Sequence, residues 1–109
     1  MATTYKVLAQ SAPSATTATD IYTVPSATQA VVSTIVVANR AASAATYRIA
    51  IRPNGASLAN QHYIAYDVTV GASDSTTITL GITIDAADVV TVYASTANLS
   101  FNVFGSEIA

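Results

Sequence analysis

QAVVSTIVVANR, residues 29–40, is the longest apolar run in the chain and contains neither glycine nor proline. Its valines and isoleucines are stiff at χ1 and pack well on a pleated surface, so the run predicts a β-strand. Strict alternation places two sets of side chains on opposite faces: Ala30, Val32, Thr34, Val36 and Ala38 on one, and Gln29, Val31, Ser33, Ile35, Val37 and Asn39 on the other. Neither face is polar at its middle, so we expect the central strand of a sheet that is covered on both sides.

Seven other segments have the composition of short strands and are separated by turn signals. They are residues 5–9, 20–24, 46–52, 62–70, 76–84, 88–94 and 99–104. In residues 46–52, TYRIAIR, the side chains alternate in polarity, and the turn signal Pro53-Asn54-Gly55 follows. About eight antiparallel strands at this spacing predict an all-β fold, a single β-sandwich or jelly-roll-like domain over residues 1–109.

The strand pattern also predicts which residues are buried and which end of the chain is loose. The expected core consists of Val32, Ile35, Val36, Ile49, Ile51, Ile64, Ile78, Leu80, Val90, Val92 and Phe101. Residues 1–20 are small and nearly uncharged, so we expect them to form an extended N-terminal arm that reaches a neighbouring protein. Such an arm gains affinity when its backbone adds to an exposed sheet edge.

Charged residues are scarce, which bounds the possible partners. They make up 9% of the chain, against about 25% in an average protein. The net charge is −2 and the four cations form no run, so nucleic-acid binding is not expected. No apolar segment reaches 18 residues and no signal-peptide pattern opens the chain, so we expect neither a membrane span nor a secretory leader. The surface is therefore either neutral throughout or partly hidden against other proteins.

No motif in the sequence indicates catalysis, a metal or a cofactor. His62 is the only histidine and cysteine is absent, whereas a zinc site needs three or four such ligands. There is no G-x-S-x-G elbow, P-loop or G-x-G-x-x-G motif. Asp74, Asp85 and Asp88 lie in predicted turns, where their side chains are expected to accept hydrogen bonds from nearby backbone N–H groups. We therefore predict a protein that is not an enzyme and that uses no cofactor.

The remaining polar and aromatic residues suggest contacts with other molecules. Arg48 and Arg52 share a strand face, where they either pair with Asp67 on a neighbouring strand or contact a partner. Six tyrosines raise an alternative, a small carbohydrate-binding module, because aromatic side chains stack on sugar rings; alternating strand positions suit a core or an interface equally well. The residues expected at an interface are Tyr5, Lys6, Tyr22, Arg48, Arg52, His62, Tyr63 and Phe104.

Several segments carry a resemblance to a known family. They are YTVP at residues 22–25, VVSTIVVAN at 31–39, YIAYD at 63–67, VYAS at 92–95 and SFNVFGSEI at 100–108. In these segments, and over nearly the whole chain from Tyr5, the sequence resembles small proteins and modules from tailed-bacteriophage virions. That resemblance implies a virion structural protein.

A second resemblance covers residues 80–108, which are similar to the closing strands of trimeric jelly rolls of the C1q and tumour-necrosis-factor type. Those domains end with an apolar strand, a Gly-Asp turn, a V-x-V strand and an aromatic F-x-G strand. Here Ala87-Asp88 stands in place of Gly-Asp, and Gly105 follows Phe104 directly. The likeness and the low charge together lead us to expect a homotrimer.

These resemblances set the functional expectation. It is a capsid decoration (cement) protein that binds itself and the major capsid protein or another virion protein, and that stabilises the head without catalysis. A tail, neck or fibre component is the alternative within the virion. The expected location is the virion, assembled in the host cytoplasm, with neither nucleic acid nor membrane as a partner.

Overall fold

The structure is a computed structural model that describes residues 2–109; Met1, which the predicted single domain included, lies outside the described residues. Eight strands follow in chain order: β1 (Thr3–Ser11), β2 (Thr19–Thr23), β3 (Gln29–Asn39), β4 (Ala45–Arg52), β5 (Tyr63–Val70), β6 (Ser75–Ile84), β7 (Val89–Ala94) and β8 (Leu99–Ile108). Two short 3₁₀ turns, Pro53–Gly55 and Asn60–His62, lie between β4 and β5. Within the described residues, no helix is long and apolar enough to cross a membrane.

The strands form two antiparallel four-stranded sheets. Sheet A has the order β1-β8-β3-β6, and sheet B has the order β2-β7-β4-β5. The pairings are nested, because β4 pairs with β5, β3 with β6, β2 with β7 and β1 with β8. This nesting is what results when one long hairpin rolls up into two layers, the jelly-roll arrangement. The predicted all-β, sandwich-like fold is confirmed.

The core lies between the two sheets. Tyr47 on β4 meets Phe101 on β8 edge-to-face, with ring centroids 6.3 Å apart. The predicted core residues that are buried are Val32, Ile35, Ile49, Val90, Val92 and Phe101, and those that are half-buried are Val36, Ile51 and Ile78. Two predictions were wrong, since Ile64 is 43% exposed and Leu80 is 54% exposed.

A β-bulge in β3 overturns the predicted division of its two faces. Val32 pairs with Gly105 and Thr34 with Phe104, so Ser33 has no partner in β8. One unpaired residue shifts the alternation by one position. The buried face therefore carries Ala30, Val32, Ile35, Val37 and Asn39, which strict alternation had split between two faces. The strand is interior in its sheet, as expected, but only this face packs against sheet B, so the expected cover on both sides is corrected.

Similar irregularities expose the two residues that were wrongly placed in the core. On β6, Leu80 and Gly81 lie between Thr79 and Ile82, whereas on β3 only Ser33 lies between their partners Thr34 and Val32. Leu80 and Gly81 therefore bulge outward. Gly81 has φ +62°, a conformation that favours glycine and suits this residue to the bulge. On β5, two register shifts against β4 leave Ile64 outside the ladder.

The predicted N-terminal arm over residues 1–20 is corrected in its described part. Residues 3–11 form β1, which pairs with β8 of the same chain. Ala2 and Ala109 exchange two backbone hydrogen bonds, of 2.7 and 3.0 Å, and close this ladder at its end. Leu8 and Ala9 pack against the core, so β1 has tertiary contacts that the small-residue composition did not indicate.

Candidate functional site

The outward side of sheet A is a regular grid of side chains that the strand register places together. One row contains Val7, Phe104, Thr34 and Thr79; a second contains Tyr5, Ser106, Val31 and Thr83; a third contains Gln10, Asn102, Val36 and Thr77. The Gln10 amide nitrogen donates a 2.8 Å hydrogen bond to the Asn102 side-chain oxygen, as expected for neighbours on one face. We call these twelve residues the neutral face.

The neutral face has no charged member, although the chain carries four basic and six acidic residues. Arg40 borders it at the end of β3, where its Nε donates to Ser100 Oγ at 2.8 Å. Tyr5 is 83% exposed and Val7 is also exposed, while Phe104, Val31 and Val36 are half-buried by their neighbours. Apolar, hydroxyl and amide side chains thus present a surface that can be dehydrated without removing a charge from water.

The outward side of sheet B has a different character, with a tyrosine–arginine cluster made of Arg48, Tyr63, Tyr66, Asp67 and Tyr93. The Arg48 guanidinium carbon lies 4.2 Å from the Tyr66 ring centroid and 4.3 Å from that of Tyr93. The Arg48 Nε and Nη2 donate to the two oxygens of Asp67 at 2.6 and 3.3 Å. These hydrogen bonds, together with the facing carboxylate and rings, raise the pKa of the Arg48 guanidinium above its ordinary value. Of the two readings for this arginine, the pairing with Asp67 is confirmed.

The aromatic rings of this cluster do not form a flat platform. Tyr63 and Tyr66 have ring centroids 4.9 Å apart and planes at 87°, and Tyr66 is 56% exposed. Arg48 lies against Tyr66 and Tyr93, so part of each ring surface is already used within the chain. The geometry is that of an internally paired cation–π cluster.

Arg52 pairs with Asp20 instead of Asp67. Its Nη2 lies 2.8 Å from Asp20 Oδ2, and its Nε donates to Thr91 Oγ1 at 3.0 Å. The Thr91 hydroxyl donates in turn to Asp20 Oδ1 at 2.8 Å. This closed triangle joins β2, β7 and β4, so its polar groups are largely occupied within the sheet.

Lys6, Glu107 and Tyr22 form an edge clasp between the two sheets. Lys6 Nζ on β1 lies 2.8 Å from Glu107 Oε1 on β8, and the Tyr22 hydroxyl on β2 donates to Glu107 Oε2 at 2.5 Å. These two hydrogen bonds stabilise the carboxylate and lower the pKa of Glu107. Burial and then the contact with Glu107 raise the pKa of Tyr22. The clasp holds the first strand of sheet A against the first strand of sheet B.

His62 and the turn aspartates have local structural partners. His62 is buried, and its Nδ1 accepts a 3.1 Å hydrogen bond from the Ala59 N–H. The three turn aspartates accept backbone hydrogen bonds, as predicted: Asp74 from Ser75, Asp85 from Ala86, and Asp88 from Asp85 and Asn54. Among residues 2–109, no group of three or more histidine, cysteine or acidic side chains is arranged to hold a metal ion.

The eight predicted interface residues therefore do not form one site. Tyr5 and Phe104 lie on the neutral face, while Arg48, Arg52 and Tyr63 lie on the outward side of sheet B. The other three, Lys6, Tyr22 and His62, have their polar groups engaged within the fold.

Sequence reasoning missed other members of these surfaces. Val7 was expected within a strand but not on an interface, and its place beside Phe104 depends on the strand pairing. Glu107 lies beyond the predicted end of the last strand at residue 104, so no signal pointed to it. Tyr66 and Tyr93 are among the six tyrosines of the sequence, but only the β4–β5 and β4–β7 pairings bring them to Arg48.

Comparison with known proteins adds no relative: no protein-family model matches this chain, and no curated protein matches it.

Proposed function

We propose that this protein is a non-enzymatic structural component of a tailed-bacteriophage virion, a decoration or cement protein that stabilises the head. Its partners are copies of itself and the major capsid protein or another virion protein. The single observation that carries the proposal is the neutral face, a four-stranded surface without a charged side chain. The mechanism is non-covalent: this face is buried between proteins, and the added contact area helps the head to resist pressure from inside.

The chemistry of the neutral face supports a protein partner. Burial of a charged group costs free energy unless it is paired, and residues on this face incur no such cost. Tyr5, Val7 and Phe104 provide apolar area near its β1 edge, and the threonines of β6 provide hydroxyl groups that can exchange water for protein partners. Exposed apolar groups on a surface with so few charges are typical of a contact region.

The size of the neutral face also fits a specific contact. Four strands spaced about 4.8 Å apart, with the three rows spanning about six residues at about 3.3 Å per residue, cover roughly 400 Å². A standard interface buries about 800 Å² on each partner. The neutral face therefore provides about half of the area of one standard contact, and the outward residues that border it on the same sheet provide the remainder.

Two further features support the assignment to a virion. Jelly rolls build viral capsid domains as well as lectins, although a fold by itself does not determine function. The segments that resemble phage virion proteins lie on β2, β3, β5, β7 and β8 and carry the resemblance independently of the fold. The sugar-binding alternative gains no support from Tyr63 and Tyr66, because their rings are perpendicular.

The test uses particles of the phage whose genome encodes this chain, prepared with the gene intact and with the gene deleted. We expect mass spectrometry to find the chain in intact particles, and we expect deleted particles to lose their DNA at lower temperature. Added wild-type protein should bind the deleted particles and restore heat resistance. Cryo-electron microscopy of the rebound particles would locate the protein on the head, or on the tail, neck or fibre as the alternative predicts.

Matched variants connect the test to the neutral face. Tyr5→Asp with Val7→Asp places two carboxylates on it, and Thr23→Asp with Thr69→Asp places two on exposed strand positions of sheet B. Both pairs change the net charge equally. We expect the first pair to lose binding to particles and the second to retain it. Absence of the chain from intact particles would overturn the virion proposal, and equal binding by both pairs would overturn the role of the neutral face.

A further inference from the structure

The four edge strands of this sandwich differ in how they are protected. An edge strand exposes unpaired backbone N–H and C=O groups, and proteins usually protect such edges with charges, proline, bulges or short length. On sheet A, β1 carries Lys6; on sheet B, β2 has five residues and carries Asp20, and β5 carries Asp67 at one of its two register shifts. The remaining edge, β6, is ten residues long and has neither a charged residue nor a proline.

The regular half of β6 is open along its free side. Positions 75–79 pair without a shift against positions 38–34 of β3, and the bulge at Leu80 and Gly81 begins only after them. Ser75, Thr77 and Thr79 are exposed, and Thr76 and Ile78 are half-buried. This gives five consecutive residues of straight, uncharged strand with one side unpaired.

We propose that β6 pairs with the β6 strand of a second copy of this chain, antiparallel across a twofold axis at Thr77. The sheet A layers of the two copies then join into one eight-stranded sheet. The inference goes beyond the proposed function and does not depend on it, because it rests on the unpaired backbone edge of β6, although Thr77 and Thr79 also belong to the neutral face.

The partner strand belongs to a second copy because self-pairing favours an edge strand without charges, and β6 is the only one of the four edge strands that has none. In a twofold antiparallel pair, a charge near the axis faces its own symmetry mate, and like charges opposite each other are destabilising. Lys6, Asp20 and Asp67 introduce this repulsion in every register that brings them near the axis of their own strands. On β6, Thr77 faces Thr77, Thr76 faces Ile78, and Ser75 faces Thr79, so every pair is neutral and joins side chains on the same side of the sheet.

The acidic residues that flank β6 do not oppose this register. Asp74 is opposite Leu80 of the second copy, and the two Asp74 residues are six positions apart along the strands. At about 3.3 Å per residue that separation is roughly 20 Å, well beyond the Debye length of about 8 Å at physiological ionic strength. Asp85 lies past the bulge, farther from the axis still. The hydrogen bonds between the two β6 strands therefore form in the uncharged stretch between the acidic residues, and no acidic residue lies opposite another.

The inference competes with the expectation of a homotrimer, which stays a prediction. A twofold edge pair closes at two copies, whereas a trimer requires a heterologous contact around a threefold axis. Light scattering of the purified full chain distinguishes the two, because a dimer has about twice, and a trimer about three times, the 11.1 kDa mass of one chain.

The experiment measures mass against concentration for the wild type and two charge variants, with heat denaturation to confirm that each is folded. Thr77→Lys places two like charges on the axis, and Thr69→Lys adds the same charge to an exposed threonine on β5. We expect the wild type to dimerise, Thr77→Lys to raise the dimer dissociation constant more than about tenfold, and Thr69→Lys to dimerise like the wild type.

A charge-swap mixture makes the test specific for self-pairing at Thr77. Thr77→Lys and Thr77→Glu should each remain monomeric alone, and when mixed they should form a heterodimer that native mass spectrometry identifies. The proposal is overturned by a wild type that stays monomeric at millimolar concentration or forms a trimer, by Thr77→Lys dimerising as the wild type does, or by failure of the mixture to associate. A monomer that still binds particles would leave the proposed function intact.

Discussion

Replacement of Gly105 by alanine should strongly destabilise this protein, because the backbone of β3 leaves no room for a side chain at this residue of β8. A Cβ atom on Gly105 would fall well inside van der Waals contact of the Val31 carbonyl oxygen. It would also lie 3.0 Å from the Val31 carbonyl carbon and 3.1 Å from Leu8 Cδ1. Gly105 pairs with Val32, next to the β-bulge at the unpaired Ser33.

The expected cost follows from what must move. An extra methyl group in a packed region costs about 1–3 kcal/mol when side chains can adjust. Here the obstacle is the backbone of an interior strand, so relief requires a shift of β3 or β8 and the loss of ladder hydrogen bonds, each worth about 0.5–1.5 kcal/mol. We therefore expect the free energy of unfolding to fall by more than about 3 kcal/mol, which is a large part of the roughly 5–15 kcal/mol that is typical of a domain.

Urea denaturation followed by circular dichroism and tyrosine fluorescence provides the measurement, and two other glycines provide controls. A Cβ on Gly71 would meet Asp74 at an ordinary 3.8 Å, so Gly71→Ala should change stability by less than about 0.5 kcal/mol. Gly81 has φ +62° and open space around it, so Gly81→Ala should cost about 1–2 kcal/mol through backbone conformation alone. If Gly105→Ala falls within about 1 kcal/mol of Gly71→Ala, the close-approach argument is refuted.

Three other outcomes are expected in the same assay. Ile35→Ala should lower the free energy of unfolding by about 2–5 kcal/mol. Ile64→Ala, at an exposed position, should lower it by less than about 1 kcal/mol. Equal losses in the two variants would contradict the observed core. Because the pKa of Glu107 is lowered in the folded protein, its carboxylate contributes fully to stability above its usual pKa of 4.5, and this contribution is lost as the pH falls through the lowered value. Glu107→Gln should therefore weaken the dependence of the unfolding midpoint on acid pH. Deletion of residues 2–19 removes β1 from the β8 edge and should abolish cooperative unfolding; a truncated protein as stable as the full chain would show that β1 is a dispensable arm.

The positions of strands and turns were readable from the sequence because both depend on local chemistry. Residues 46–52 alternate in polarity, and the strand Ala45–Arg52 is observed there. The turn aspartates were also predictable, since a short carboxylate side chain reaches the backbone N–H groups beside it. The Arg48–Asp67 pair was one of the two alternatives that the sequence left open, because both residues lie on segments already expected to be strands.

The wrong predictions of strand faces and burial share a physical cause, which is the β-bulge. Alternation predicts faces only while every residue has a partner, and one extra residue moves all later side chains to the other face. Ser33 and Leu80 are such residues, so the two faces of β3 and the burial of Leu80 were predicted wrongly. Nothing in either residue type marks a bulge.

The sequence by itself determined that this chain forms short antiparallel strands around one apolar core, because β-branched residues, alternation and turn residues act over a few neighbouring positions. Only the tertiary structure decided which strands are neighbours, and therefore which side chains share a surface. Tyr5 and Phe104 are 99 positions apart, yet the β1–β8 pairing places both on the neutral face; Lys6, Tyr22 and Glu107 meet only because the first strands of the two sheets are stacked. Such long-range pairings depend on how the whole chain rolls up, so no local pattern encodes them.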